Sequence, residues 1–211
     1  MITIKWFGHS MWKISDENVS IITDPFTDIG YPMPQNETAD IVLSSHDHFD
    51  HNNISLIKGN PEVVKTDGEF NIKNVYIRMF PVWHDENRGK ERGNNLLMKF
   101  SLAGKNFLHC GDLGHMLPDE IIEKLGKIDV IFIPVGGYYT IDAKTAKAIV
   151  DKLRPKIVFP MHYKTPVLDF PIAKIDDYLA LIKDYRKIAG NLITLSEKDF
   201  QQEQTILLDY E

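Results

Sequence analysis

The segment from His46 to His51 brings three imidazoles and a carboxylate into six residues, in the pattern His46-x-His48-x-Asp50-His51. Imidazole nitrogens and carboxylate oxygens are ligands of Zn²⁺ and similar ions. His46 and His48 are two residues apart, so their side chains lie on the same side of an extended segment. Asp50 and His51 follow around a turn and can reach a second ion. The alternative is a polar loop that happens to contain histidines. A loop without a metal would have no need for so many ligand-type side chains so close together.

Three further side chains of the same type come later in the chain. His84, Asp112 and His162 each lie at or shortly after the end of an apolar run. Loops at the ends of packed strands carry reactive groups in α/β proteins, because the scaffold holds those loops still. We therefore expect the three residues to join the segment 46–51. An exposed loop histidine is the alternative for His84.

Apolar patterning predicts the strands and helices that position these residues. Strands are predicted at 2–7, 10–15, 19–23, 41–45, 62–66, 74–82, 95–101, 105–109, 129–133, 156–159 and 204–208. Helices are predicted at 52–59, 118–126, from about 142 to 154, and at 171–190, the last with Ile172, Ile175, Leu179, Ile182 and Tyr185 facing inward. Buried strands that alternate with amphipathic helices indicate an α/β protein with two sheets between helices.

Composition is that of a soluble globular protein and excludes several classes. The 211 residues include 24 Lys and Arg against 30 Asp and Glu, a formal net charge of −6. This acidic balance argues against a nucleic-acid partner, because nucleic acid binds clustered basic surfaces. Cys110 is the single cysteine, so the chain cannot form an internal disulfide. A membrane span needs about 20 apolar residues in a row, and no stretch of the sequence approaches that length. We expect one cytoplasmic domain over residues 1–211 that acts on a small molecule away from membranes; formation of a homo-oligomer is left open.

The motifs, in their order along the chain, resemble those of the metallo-β-lactamase-fold hydrolases. The pattern that begins at His46 is similar to the HxHxDH signature of that family. Other motifs resemble the branch of uncharacterised Zn-dependent hydrolases related to L-ascorbate-6-phosphate lactonase: Gly8-His9-Ser10, Thr23-Asp24-Pro25, Gly111-Asp112-Leu113-Gly114-His115, Pro134-Val135-Gly136-Gly137-Tyr138-Tyr139-Thr140 and Pro160-Met161-His162-Tyr163-Lys164. The resemblance runs from Met1 to about Lys164 and implies an αββα sandwich of the metallo-β-lactamase type.

The same resemblance implies two divalent metal ions. By it, His46, His48 and His84 hold the first ion, Asp50, His51 and His162 hold the second, and Asp112 bridges them. Two ions about 3.5–4 Å apart lower the pKa of a shared water toward about 7 and so supply hydroxide at neutral pH. The expected reaction is hydrolysis of a small ester, lactone or phosphoester, with Asp50 and Asp112 as the catalytic carboxylates. Zn²⁺ is the expected metal, and Mn²⁺ or Fe²⁺ suits the same ligands.

Three other functions remain open from the sequence. Asp112 replaces the cysteine of the main antibiotic-cleaving β-lactamases, and His48 replaces the glutamate of the flavodiiron relatives. A mononuclear iron dioxygenase of the same fold keeps that histidine and is the main alternative. A nuclease would need a basic face, and a metal-binding scaffold without activity would usually close its site with four protein ligands.

Five more residues are candidates for orienting the ligands or contacting substrate: His9, Asp24, Asp47, Asp85 and His115. His9 and Asp24 each follow a predicted strand and can orient a ligand, although a structural role fits them equally well. Asp47 and Asp85 adjoin ligands and can shuttle a proton or cap a loop. His115 can line the pocket or belong to the turn before the helix at 118–126.

Overall fold

The computed structural model describes residues 1–210, and its strands form two sheets. The strands up to residue 109 are β1 (Ile2–Gly8), β2 (Met11–Ser15), β3 (Ser20–Thr23), β4 (Ile41–Leu43), β5 (Glu62–Val64), β6 (Gly68–Ile72), β7 (Val75–Trp83), β8 (Asn94–Leu102) and β9 (Lys105–His109). The later strands are β10 (Val130–Pro134), β11 (Ile157–Met161), β12 (Arg186–Lys187), β13 (Leu192–Leu195) and β14 (Gln204–Leu207). The helices are α1 (Asp119–Leu125), α2 (Ala143–Leu153) and α3 (Asp176–Leu179), and 3₁₀ turns lie at Ile54–Leu56 and Glu197–Phe200.

Both sheets mix parallel and antiparallel neighbours. The first has six strands in the order β13-β1-β2-β3-β4-β5, and the second has eight in the order β12-β14-β11-β10-β9-β8-β7-β6. The strands β3, β4 and β5 run parallel, as do β9, β10, β11 and β14. Their carboxyl ends therefore meet at one edge of each sheet, which is where α/β proteins place ligands.

The main core lies between the two sheets. The Trp12 ring of the first sheet packs 4.8 Å from the Phe132 ring and 5.3 Å from the Phe159 ring of the second, centroid to centroid. Because strand side chains alternate between faces, Ile131 and Val158 point to the opposite face of the second sheet, and α2 packs against β10 there. The predicted α/β class with two facing sheets is confirmed. Among residues 1–210, every helix is too short or too polar to cross a bilayer.

The outer face of the first sheet is covered mainly by irregular chain. Phe7, Ile22 and Val42 pack there against Phe26 and Leu168, which come from loops. The predicted helix at 52–59 is wrong over most of its length, since only Ile54–Leu56 forms a 3₁₀ turn.

Contacts with neighbouring segments explain why the helix at 52–59 does not form. The backbone N–H of Asn53 donates to Pro25 O at 2.7 Å, and the N–H of Lys58 donates to Glu37 O at 2.8 Å. These bonds occupy both ends of the segment with partners far along the chain, so an i to i−4 ladder cannot extend across it.

The predicted helix at 171–190 is also wrong, apart from the four residues of α3. Ala173 donates to Gly136 O at 2.7 Å and accepts from Lys164 N at 2.8 Å, which holds the start of the segment extended. Arg186 and Lys187 then pair with β14 as an edge strand. Ile172 is buried as predicted, whereas Tyr185 is 49 % exposed. Backbone pairing with the sheets overrides the apolar periodicity that favoured one long helix.

Three strands were not predicted: β6, β12 and β13. β6 forms a hairpin with β7 through Lys73 and Asn74, both at positive φ, and this turn is typical of two-residue hairpins. β13 pairs antiparallel with β1 and closes the edge of the first sheet. Its residues alternate between exposed and buried, from the exposed Leu192 to the buried Leu195, which is the pattern of a strand that covers one face.

Candidate metal centre

The loop after β4 carries four of the predicted ligands and is closed by its own backbone. Ser44 Oγ lies 3.2 Å from His46 O and 3.1 Å from His51 O. The N–H of His51 donates to His48 O at 3.0 Å. These bonds turn the chain back at once after the buried strand, so the side chains at 46, 48, 50 and 51 converge.

Three other site residues occupy the left-handed region of backbone conformation directly after a strand. His9 follows β1 at φ 50°, Asp24 follows β3 at φ 43°, and His162 follows β11 at φ 51°. Positive φ is uncommon for residues other than glycine and marks a conformation that the surroundings must impose. In each case the abrupt turn aims a polar side chain at the space between the two sheets.

The ligand-type side chains form three overlapping groups, each with its donor atoms within 4.8 Å of one another. The groups are His46, His48 and His84; His9, Asp50, His51 and His162; and His46, His51 and Asp112. All seven predicted metal ligands are therefore brought together from distant parts of the chain. His9 joins the second group, where it was expected only as a neighbour that orients a ligand.

Asp112 lies between the first two groups. Its Oδ2 is 3.1 Å from His84 Nε2 and 3.3 Å from His162 Nε2, and its Oδ1 is 3.1 Å from His51 Nε2. Burial alone would raise the pKa of Asp112, but His162 and His51 outweigh it and hold the pKa well below its usual range. One ionised carboxylate therefore faces both sets of imidazoles.

The pKa values of the surrounding histidines divide them into two kinds. Burial lowers the pKa of His46 to about 3, with a further contribution from His51. Burial and then His162 lower the pKa of His9 to about 4. Burial opposes the charge on His51 too, but the carboxylates around it, led by Asp112, raise its pKa well above the ordinary value. The neutral imidazoles are in the form that binds metal, and the carboxylates favour a cation at their centre.

Asp24 orients two of the predicted ligands without joining the groups itself. It accepts from His51 Nδ1 at 2.9 Å and from Ser45 Oγ at 2.8 Å. Because the Ser45 hydroxyl donates to Asp24, it accepts from His46 Nδ1, 2.9 Å away. In the neutral form that binds metal, both imidazoles would therefore carry their proton on Nδ1 and present the lone pair of Nε2 to an ion.

The residues fit the metal ions that the sequence predicted. His51 Nε2 and Asp112 Oδ1 are buried without a hydrogen-bond partner, although they are only 3.1 Å apart. Buried polar atoms are normally paired, so unpaired atoms on ligand-type side chains are consistent with a site for ions.

Asp47, Asp85 and His115 lie outside the ligand groups. The Asp47 side chain is 81 % exposed and accepts from Asn52 Nδ2. Asp85 is buried and accepts four backbone N–H bonds in the loop after β7. Of the two roles that the sequence left open for it, a proton shuttle or a loop cap, the structure shows the loop cap. His115 is half-buried, accepts from Trp83 N and lies 2.8 Å from Met116 O.

Three residues near the centre were not singled out from the sequence. Ser45 connects His46 to Asp24, and Asn95 holds the backbone at Asp112 by accepting from Asp112 N at 3.0 Å and donating to Cys110 O at 2.8 Å. Arg92 lines the cavity described next. Ser45 directly precedes the ligand segment, and that position was a usable signal. Asn95 and Arg92 lie in no motif, so their spacing in the sequence gives no such signal.

A cavity of about 320 Å³ opens onto the metal centre. Its lining comprises His48, Phe49, Asp50, His84, Glu91, Arg92, Asp112, Tyr139, His162 and Phe170. This volume is at the lower end of the range for ligand pockets, about 300–1,000 Å³. Ligand-type side chains and aromatic rings therefore face the same small space.

Comparison with known proteins agrees with this geometry. A beta-lactamase superfamily domain matches residues 3–162. A UPF0173 metal-dependent hydrolase of Nanoarchaeum equitans is 32 % identical and aligned over 83 % of this chain and 88 % of its own length. Another from Pyrococcus abyssi is 30 % identical over 89 % of this chain and 95 % of its own length.

A solved structure is similar over nearly the whole chain. It is a candidate Zn-dependent hydrolase of the metallo-beta-lactamase superfamily from Thermotoga maritima, with a TM-score of 0.85 and 37 % identity. The match covers 99 % of this chain and 98 % of the other. This chain belongs to the beta-lactamase superfamily and, within it, to the UPF0173 family of metal-dependent hydrolases.

Proposed function

We propose that this hydrolase holds two divalent ions and cleaves a small ester, lactone or phosphoester. The observation that carries the proposal is the place of Asp112, whose Oδ2 is within 3.3 Å of an imidazole from each of two separate groups. A carboxylate in contact with both groups is suited to bridge two ions. Zn²⁺ is the proposed metal because its ligands are imidazole and carboxylate.

Each proposed ion has its own set of three side chains, and one carboxylate is shared. His46, His48 and His84 would hold the first ion, Asp50, His51 and His162 the second, and Asp112 both. When bound, such a pair of ions supplies hydroxide at neutral pH and polarises the bond to be cleaved. Asp24 and Ser45 keep His46 and His51 in the binding tautomer, and His9 Nε2, 3.3 Å from Asp50 Oδ2, orients that carboxylate.

The cavity supports a small substrate. A space of about 320 Å³ beside the ligands has room for a compact molecule. The formal net charge of −6 supports the same choice over a nucleic-acid substrate. Metal content and hydrolysis of a lactone, ester and phosphoester panel test the proposal together. Two equivalents of zinc or manganese with metal-dependent hydrolysis are expected; one equivalent of iron with oxygen consumption would favour the dioxygenase instead.

Replacement of the bridging carboxylate gives a specific prediction. We expect Asp112→Ala to abolish hydrolysis and to reduce bound metal from two equivalents to one or none, because its carboxylate contacts both groups. Circular dichroism should remain that of the folded protein. Asp47→Ala is the matched control, since that carboxylate is exposed and outside the groups. Full activity of Asp112→Ala would contradict the assignment of ligands.

A further inference from the structure

We propose that Arg92 forms an anion-binding subsite at the entrance to the metal centre, so the substrate carries a carboxylate or phosphate apart from the bond that is cleaved. This inference rests on the proposed hydrolysis at the same site. It follows from where Arg92 lies, what holds it there, and what its side chain contacts.

Arg92 is the single lysine or arginine among the described residues that line the 320 Å³ cavity. Half of that lining consists of predicted metal ligands, namely His48, Asp50, His84, Asp112 and His162. The same arginine also lines two adjoining cavities of about 580 and 300 Å³. Its guanidinium-bearing side chain is 31 % exposed, so a solute that enters by any of these openings can reach it.

The loop that carries Arg92 is held in place by Asp85. The Asp85 carboxylate accepts backbone N–H bonds from Asn87 at 2.8 Å, Gly89 at 2.9 Å, Glu91 at 3.0 Å and Arg92 at 2.8 Å. A carboxylate that collects four N–H groups fixes the loop backbone, and with it the starting point of the Arg92 side chain.

The same loop is tied to a predicted metal ligand. The N–H of His84 donates to Gly93 O at 3.0 Å, and the N–H of Gly93 donates to Gly89 O at 3.1 Å. Arg92 and His84 are therefore placed by one closed loop, which keeps the backbone of Arg92 in register with the candidate metal centre.

The Arg92 guanidinium keeps most of its hydrogen-bonding capacity free. Nη1 lies 3.5 Å from Glu91 Oε2, and the guanidinium carbon lies 5.8 Å from the Tyr139 ring centroid. An exposed ion pair of this length is worth little, so a substrate anion can displace it. Glu91 has another partner in that event, because its carboxylate accepts from Asn87 Nδ2.

Glu91 and three aromatic residues complete the lining of the pocket. Phe49 is 61 % exposed at the entrance, and the Tyr139 and Phe170 rings lie edge to face with centroids 6.0 Å apart. An exposed phenylalanine beside a polar centre suits an apolar group of a bound molecule. The combination fits a small organic anion with an apolar body between the rings and its charged group on Arg92.

Two esters that differ in one charged group test the subsite. Hydrolysis of mono-4-nitrophenyl glutarate is compared with that of neutral 4-nitrophenyl valerate, using the zinc-loaded protein. Wild type should prefer the anionic ester in kcat/KM. Arg92→Met should reduce that preference about 10- to 100-fold, mainly through KM, as expected for loss of a charge-assisted hydrogen bond. Arg92→Lys should retain part of it, because the charge remains while the planar fork is lost.

Lys90→Met is the matched control. It removes the same charge from the same loop at an exposed residue outside the lining of all three cavities. The proposal predicts that this variant keeps the preference for the anionic ester. An unchanged preference in Arg92→Met, or an equal loss with both esters, would overturn the subsite.

Binding of glutarate and inorganic phosphate separates the subsite from the proposed function. Calorimetric titration is performed on wild type and Arg92→Met at equal zinc content. If no ester, lactone or phosphoester of the panel is hydrolysed but Arg92→Met weakens either anion at least tenfold, the subsite stands and the proposed hydrolysis fails. Equal binding to both proteins overturns the subsite whatever the activity. The anion with the larger loss identifies the charged group as carboxylate or phosphate.

Discussion

At the scale of single residues, the metal centre depends on side chains that bind no ion themselves. Asp24 accepts from His51 Nδ1 and, through Ser45, determines the tautomer of His46. One buried carboxylate therefore orients a predicted ligand of each ion. Partners of this kind commonly change metal affinity by 10- to 100-fold when they are replaced.

Asp24→Asn should weaken zinc binding about 10- to 100-fold while the protein stays folded. The amide keeps the size of the side chain, and asparagine tolerates the φ of 43° at this position, so backbone strain does not change. The amide can no longer accept from Ser45 and His51 as an ionised carboxylate does. Competition with a chromogenic chelator measures the affinity, and Asp47→Asn should leave it unchanged. Wild-type affinity in Asp24→Asn would show that Asp24 has only a structural role.

The side chains that the structure brings together at the candidate centre could be chosen from the sequence because they are dense and ordered. Four ligands lie within six residues, and three more follow apolar runs. Roles that depend on three-dimensional contact could not be predicted in this way. The sequence left Asp85 with two interpretations, and only the folded loop shows its carboxylate collecting N–H groups around Arg92.

At the scale of elements, strand ends position the centre and close backbone packing maintains it. The loop after β9, which carries Asp112, passes directly against the loop after β7, which carries His84. A Cβ built on Gly114 would lie 2.1 Å from the carbonyl carbon of His84 and 2.2 Å from Asp85 N. No side chain fits there, so glycine is required for the two ligand-bearing loops to approach each other.

Gly114→Ala should lower the free energy of unfolding by about 1–3 kcal/mol, because the added methyl group must displace backbone. The displaced residue is His84, so we also expect the zinc content to fall from two equivalents toward one. Chemical denaturation and elemental analysis measure the two effects. Gly104→Ala is the control for the zinc readout: alanine is strained at its φ of 74°, but its Cβ would meet nothing within 4 Å, so this variant should lose stability without losing zinc. Retention of both stability and zinc by Gly114→Ala would show that the loops separate freely.

Apolar pattern predicted elements well where the pattern and the tertiary contacts agree. α2 and the buried strands β10 and β11 lie within two residues of their predicted bounds. The segment 171–190 has helical periodicity, yet the backbone of Ala173 bonds to Gly136 and Lys164 in two loops, and Arg186 pairs with β14. Such long-range backbone pairing has no local sequence signal, which is why the extended C-terminal segments were missed.

At the scale of the whole molecule, burying histidines between two sheets couples stability to pH. His109 is fully buried at the end of β9, where Nε2 donates to Ser10 O at 2.9 Å and Nδ1 accepts from Gly111 N at 3.1 Å. Both nitrogens are therefore satisfied only in the neutral form. Burial lowers the pKa of His109 below its ordinary 6.5.

A pKa lower in the folded than in the unfolded state means that the unfolded chain binds the proton more readily. The contribution of His109 to stability is therefore complete above about pH 6.5 and is lost as the pH falls toward the folded-state pKa. In chelated protein, His109→Gln should reduce the loss of unfolding free energy between pH 7 and 5 by about 1–2 kcal/mol relative to wild type, since one proton contributes about 1.4 kcal/mol per pH unit. Urea denaturation at each pH measures the difference, and identical slopes for wild type and His109→Gln would mean that His109 does not take up the proton on unfolding.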